Sequence, residues 1–198
     1  MKDAELATVL IVPGLRDHVP AHWQTHLENT LSATRKVVSV PPLQSDKLSC
    51  AARVAAIQRA VESIDGPIVV VAHSGGVVML VHWAQQFHRP VQAALLAAPP
   101  DFSTPLPAGY PTLADLDANG WLPVPSVRLP FPSWVAASTN DPLARLPRVE
   151  EMARQWGSEL VNVGAVGHLN PASGFGPWKQ AEEFVALLDK SLSLRSRQ

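Results

Sequence analysis

Ile68-Val69-Val70-Val71-Ala72-His73-Ser74-Gly75-Gly76-Val77-Val78-Met79-Leu80 is the stretch that decides how this chain folds. Its first five residues are apolar and mostly β-branched, as in a strand buried on both faces. The run breaks at Ser74, two glycines follow, and an apolar pattern of helical length begins. The pattern predicts a strand over 68–72, a sharp turn with a hydroxyl at its apex, and a helix to about residue 87. A turn that tight strains the backbone of the serine, and small residues two positions to either side relieve the crowding. Ala72 and Gly76 hold those places, so the stretch reads as a G-x-S-x-G nucleophile elbow with alanine in the first glycine slot. Taken alone, a serine capping a buried helix would look similar.

From Pro67 to His88 there is no Asp, Glu, Lys or Arg, a length able to span a bilayer. His73 to Gly76 interrupt it, and His82, Gln85 and Gln86 follow, so a buried strand and helix fit better than a membrane span. Working outward, residues 7–12 and 36–40 read as the first two strands. Helices are expected over 22–31 and, capped by Ser45-Asp46, over 47–64. Beyond the elbow, strands are expected over 91–98, 134–138 and 160–163. Helices are expected over 146–156 and from about Pro177, the last with Ala181, Phe184, Val185, Leu188 and Leu192 facing the core. Between 102 and 132 the periodicity dissolves into a Pro-rich segment, either a wall or lid of a substrate pocket or a stiff surface excursion. Strands alternating with helices throughout imply an α/β fold, a mostly parallel sheet of about six strands covered on both faces.

At 198 residues, 46% hydrophobic and 17% charged, one domain over 1–198 with a sizeable core is expected. The net charge of -1 comes from residues spread along the chain, so neither nucleic acid nor an anionic membrane is an expected partner. Cys50 is the only cysteine; no intramolecular disulfide or cysteine-rich metal site can form, which fits a reducing cytoplasm. Asp3 and Glu5 ahead of the first apolar run are unlike a secretory signal.

In parallel sheets of this kind, reactive groups gather beyond the C-terminal ends of the strands. The loops there carry Gly14-Leu15, Ser74, Asp141 and His168. A serine needs a base as it attacks, and imidazole titrates near neutrality, so His168 is suited to that task. Activity is then expected to fall below about pH 6 as His168 takes up a proton. A carboxylate on the other ring nitrogen holds the tautomer and steadies the imidazolium. Asp141 is favoured for this; Asp101, also after a strand, is the rival, and Asp17 is weaker. The order Ser74, Asp141, His168 is that of α/β-hydrolases. Singly, Asp141 reads equally as a turn residue and His168 as an ordinary loop residue. The N–H of Gly75, at a helix N-terminus, and that of Leu15 are the expected oxyanion donors, with Gly14 allowing close backbone approach. His73 should pack or hydrogen-bond rather than act as base. Trp23 either joins the core or lines an acyl pocket. His18, His22 and His26 have helical spacing but lack the glutamate of a zinc motif, so no metal is expected. No Gly-rich phosphate loop with lysine occurs either.

With those residues in view, the chain resembles the small serine hydrolases related to retinoblastoma-binding protein 9 and the YdeN-type proteins. The matching residues are Val12-Pro13-Gly14-Leu15 with His22-Trp23, Ala72-His73-Ser74-Gly75-Gly76, Ser138-Thr139-Asn140-Asp141-Pro142 and Gly167-His168-Leu169-Asn170, with Ser173-Gly174 and Trp178 behind. The resemblance spans essentially the whole length. It implies a compact α/β-hydrolase-like three-layer sandwich with a minimal cap or none. It also implies Ser74, Asp141 and His168 as nucleophile, acid and base, and ester hydrolysis without a cofactor. No Leu-x-Cys-x-Glu string is present, so no retinoblastoma-type partner is implied. The expected function is a carboxylesterase for small acyl or aryl esters. Amide or thioester hydrolysis by the same groups, and a hydrolase-fold binding protein of low turnover, are the alternatives.

Overall fold

The computed structural model describes residues 6–17 and 19–195, with side chains as far as residue 190. Six strands, β1 (Thr8–Val12), β2 (Val37–Ser39), β3 (Ile68–His73), β4 (Ala93–Ala97), β5 (Ser133–Ala137) and β6 (Glu159–Asn162), pair in the order β2-β1-β3-β4-β5-β6. Every pairing is parallel. The sheet is therefore fully rather than mostly parallel. The helices are α1 (Trp23–Leu31), α2 (Cys50–Glu62), α3 (Gly75–Gln86), α4 (Leu113–Ala118), α5 (Leu146–Trp156) and α6 (Lys179–Arg195).

Strand alternation divides the interior in two. Leu10, Val12, Val70, Ala72 and Leu96 point to one face and pack with α2, α3 and α5. Val9, Ile11, Val69, Val71 and Leu95 point to the other and meet Trp23 and Leu27 of α1 and Phe184, Val185 and Leu188 of α6. A three-layer sandwich results, in which the central strands have no solvent face; that is why they read as unbroken apolar runs. Among the described residues no helix is long and apolar enough to cross a membrane.

Strand order reverses between β1 and β3, because the chain leaves β1 for one edge and returns to lay β3 on the other side. Loops leaving the carboxyl ends of these two strands diverge to opposite faces and open a crevice. Gly14-Leu15 follow β1 and Ser74 follows β3, so the elbow stands at that switch point.

Several boundaries differ from expectation for local reasons. Ser49, not Ser45-Asp46, caps α2: its hydroxyl accepts from the Ala52 N–H at 3.2 Å. Asp46 instead takes a positive φ of 50° and closes a turn with Ser49. His22 lies outside α1 as its N-cap, its ring Nδ1 accepting from the Gln24 N–H. The Pro-rich segment contains α4, where Thr112 and Asp115 bond each other's backbone N–H in a reciprocal capping box. That Thr-x-x-Asp spacing was the available signal for the missed helix. His18 and the acidic Asp3 and Glu5 lie outside the described residues, as does the side chain of Leu192.

Candidate active site

The elbow forms because Ser74 is squeezed between the last peptide of β3 and the first turn of α3. Its backbone sits at φ 55°, ψ -129°, a region costing a non-glycine residue about 1–3 kcal/mol. The Ser74 N–H donates to the Ala97 carbonyl at 2.9 Å and its own carbonyl accepts from Val77, so sheet and helix hold the strain from both sides. Gly76 is required by space: a Cβ there would collide with the Val12 carbonyl and lie 2.6 Å from that of Pro13.

Four bonds connect the groups that the elbow presents. The Ser74 hydroxyl lies 2.7 Å from His168 Nε2. His168 Nδ1 lies 2.8 and 3.0 Å from the two oxygens of Asp141, whose side chain is 2% exposed. A carboxylate only accepts, so Nδ1 carries the ring proton and donates it. Nε2 then presents its lone pair to the serine hydroxyl. Asp141 is itself oriented by the Leu143 N–H, 2.8 Å from Oδ1.

His168 is delivered by two loops clasped together. The Asn140 side-chain oxygen, after β5, accepts from the Gly167 N–H at 2.7 Å, and the Ser138 hydroxyl accepts from Val166 at 3.3 Å. Gly167 has a φ of 58°, and a Cβ there would come within 2.5 Å of Ser173. The Ser173 hydroxyl accepts from the His168 N–H at 3.1 Å, and the His168 carbonyl accepts from Nε2 of His73 at 2.8 Å. His73 is thus a brace beneath the ring. Burial, followed by repulsion from His168 and His22, holds its own pKa well below the ordinary imidazole value despite that bond.

The other expected acids are committed elsewhere. Asp101 accepts from the Ser103 hydroxyl and amide and from Thr104, and pairs with Arg148 at 3.3 Å. Burial alone would raise its pKa; the bonds from Ser103 and Arg148 outweigh burial and lower it. Asp17 pairs with Arg53 at 2.9 Å. Burial pushes the Cys50 thiol up to about 11, which keeps the lone thiol protonated and unreactive.

Gly14, Leu15 and Gly75 lie together beside the Ser74 hydroxyl. A Cβ on Gly14 would lie 3.5 Å from the Ser74 hydroxyl, and one on Gly75 would lie 3.4 Å from the Leu15 nitrogen. Gly75 is the first residue of α3, so its N–H has no intrahelical acceptor. The turn bearing Leu15 closes through the Asp17 N–H to the Gly14 carbonyl, 3.0 Å. Arg53 of α2, only 5% exposed, grips this turn: Nη2 donates to the Leu15 carbonyl at 3.0 Å and Nη1 to Asp17, while Nε donates to the Lys47 carbonyl at 2.8 Å. Sequence reading missed Arg53, since an arginine mid-helix carries no mark of a partner 38 residues away.

Of the two places expected for Trp23, the structure gives the core and corrects the acyl-pocket assignment. Trp23 is 0% exposed, edge-on to Trp178 with ring centroids 4.9 Å apart. The face of α1 that carries it is turned to the sheet, and His22, one residue earlier, borders the cleft instead. His22 stands 4.8 Å from the His73 ring, and among the described residues no group of three or more His, Cys, Asp or Glu is placed to hold a metal. The cleft, about 250 Å3, is lined by Ser74 and His168 together with Phe102, Leu106 and Tyr110 of the Pro-rich segment. That segment is therefore a pocket wall.

The model of the serine hydrolase family matches residues 9–187. The chain belongs to that family. Among solved structures, this serine hydrolase is similar to a YdeN-like hydrolase from Pectobacterium atrosepticum, at 29% identity over 92% of each chain with a TM-score of 0.72. The ydeN gene product of B. subtilis is 16% identical, over 92% of this chain and 98% of that one, at TM-score 0.70. Est1E from Butyrivibrio proteoclasticus, solved with ferulic acid bound, is 12% identical at TM-score 0.69, over 98% and 91%, and shares the fold. No curated protein matches the sequence. The hydrolase thus has the α/β-hydrolase fold that its sequence resemblance implies.

Proposed function

We propose that this serine hydrolase is a carboxylesterase for small acyl or aryl esters, with residues 1–198 acting as one catalytic domain in a reducing cytoplasm. The observation that carries the reading is the continuous relay from Ser74 through His168 to a buried Asp141, opening into a cleft. The Ser74 oxygen attacks the ester carbonyl carbon while its proton passes to His168 Nε2. Asp141 stabilises the imidazolium that forms. The carbonyl electrons collect on oxygen and are received by the N–H groups of Gly75 and Leu15. His168 returns the proton to the departing alkoxide, leaving an acyl group on Ser74. Water then adds to the acyl carbon as His168 takes its proton, and the acid departs as the proton returns to Ser74. Apolar lining from Val19, Pro100, Phe102, Leu106 and Leu143 supports uncharged acyl or aryl groups as the cargo.

A fluorophosphonate probe and a substrate panel test the proposal. The wild type should label and Ser74→Ala should not. p-Nitrophenyl butyrate should be turned over faster than the matching thioester or anilide. Equal or faster amide or thioester turnover overturns the esterase assignment, and absence of labelling moves the reading to a binding protein on a hydrolase scaffold.

A further inference from the structure

A second pocket, of about 410 Å3, shares Phe102 with the cleft and lies between the Pro-rich segment and α5. Leu113, Leu122, Val124, Met152 and Trp156 supply much of its apolar lining. None of the residues of the Ser74–His168–Asp141 relay borders it. Among the described residues, Phe102 alone lines both spaces. Its ring is 2% exposed and stands edge-on to Trp121, at 90° with centroids 5.7 Å apart. Trp121 is itself fixed, its indole N–H donating to the Leu48 carbonyl at 2.7 Å and its own carbonyl facing His82 Nε2 at 3.1 Å. Phe102, common to both linings, is therefore held in place through Trp121.

We propose that Phe102 is the specificity-determining residue of this cleft, limiting the substrate to esters with a short apolar arm and closing off a ready-made chamber for a longer one. The inference rests on the esterase reading above. The magnitudes agree with it. At about 250 Å3, the cleft falls below the usual 300–1,000 Å3 of pockets for drug-sized ligands, whereas the two spaces joined would fall inside that range. Both spaces present apolar surface, so an alkyl chain passing from one to the other would keep contact with apolar side chains. A methylene bound in such a pocket is worth about 10–200-fold in discrimination, so removing the partition should move selectivity.

The test compares wild type, Phe102→Ala and Phe102→Leu on p-nitrophenyl acetate, butyrate, octanoate and laurate, and on butyrate esters of short and long alcohols. Wild-type kcat/KM should drop from butyrate to octanoate. Phe102→Ala should raise the octanoate-to-butyrate ratio, or the long-to-short ratio in the alcohol series, at least about tenfold, with Phe102→Leu between. Adding Val124→Trp to Phe102→Ala should refill the chamber and cancel the gain. Calorimetric binding of laurate against butyrate reads the partition without turnover: the wild type should prefer neither strongly, and Phe102→Ala should favour laurate about tenfold. Should the alanine variant fail to fold, the leucine variant carries both measurements. Unchanged ratios in both ester series together with unchanged laurate binding overturn the partition. Lack of ester turnover by the wild type overturns the esterase reading alone, because the binding measurement still decides the partition.

Discussion

On the side of the cleft that holds Ser74 and His168, polar atoms are bonded at close range: hydroxyl to imidazole, imidazole to carboxylate, carboxylate to backbone, and backbone to Asn140 and Ser173. The stretch from Phe102 to Tyr110 lines the same cleft chiefly with apolar surface; Ser103 and Thr104 bond back to Asp101, and an arginine clasps its far end. There Arg16 donates to the Gly109 carbonyl at 3.1 Å and lies 4.4 Å over the Tyr110 ring. Hydrogen bonds have direction and narrow geometry, whereas apolar packing has neither. Changes among the bonded polar groups should therefore destroy reactivity, and changes along the apolar stretch should alter what is admitted.

Asp141→Asn would strain that contrast hardest. The amide no longer holds the His168 tautomer, and kcat should fall by about ten-thousandfold on p-nitrophenyl butyrate with KM little changed. Asp101→Asn, which touches Arg148 and not His168, should stay within about threefold of wild type; a reversal of these two results would exchange their roles. Gly76→Ala comes next, because the new methyl must displace the Val12 and Pro13 carbonyls. Overpacking of this kind costs about 1–3 kcal/mol, visible as a lower denaturation midpoint, and activity should fall with it.

Arg53→Met sharpens the comparison, since this side chain is outside the cleft yet grips the turn bearing Leu15. Loss of one oxyanion donor costs about a hundredfold to a thousandfold in kcat, so a loosened donor should cost about tenfold to a hundredfold. Inhibition by a trifluoromethyl ketone, which forms a tetrahedral adduct, should weaken in parallel, and Arg53→Lys should recover only part. A smaller effect is a pH dependence of stability. His73, and to a lesser degree of burial His82, have lowered pKa values in the folded chain, chiefly through burial. The unfolded chain takes up protons below about pH 6.5 that the folded chain refuses. Stability is thus fully present above that pH and lost as pH falls from it toward the folded values, by at most about 1.4 kcal/mol per pH unit for each group. Urea titrations at pH 7.5 and 5.5 would read the slope, and His73→Gln should flatten it.

The elbow was legible because its requirements are local. Strand, strained serine and small neighbours occupy adjacent positions, and Ala72, Ser74 and Gly76 satisfy them within five residues. The ordering of Asp141 and His168 was legible because each follows a strand. Arg53, the partner that His73 finds in the His168 carbonyl, and the shared lining at Phe102 left no such trace, since each depends on what another segment places opposite; that His73 would hydrogen-bond was itself legible. Trp23 shows the same boundary from the other direction: its neighbour His22 borders the cleft, and one step along the chain, at the start of α1, turns the indole into the core.

Apolar periodicity and turn chemistry, which act over a few residues, determined by themselves that this chain is an α/β sandwich with an activated serine among its candidates. Which carboxylate meets His168, which arginine holds the turn at Leu15 and how much space lies before Phe102 were decided only by the tertiary structure. These contacts join segments dozens of residues apart, and their energies exist only once packing has brought both partners within a few ångströms.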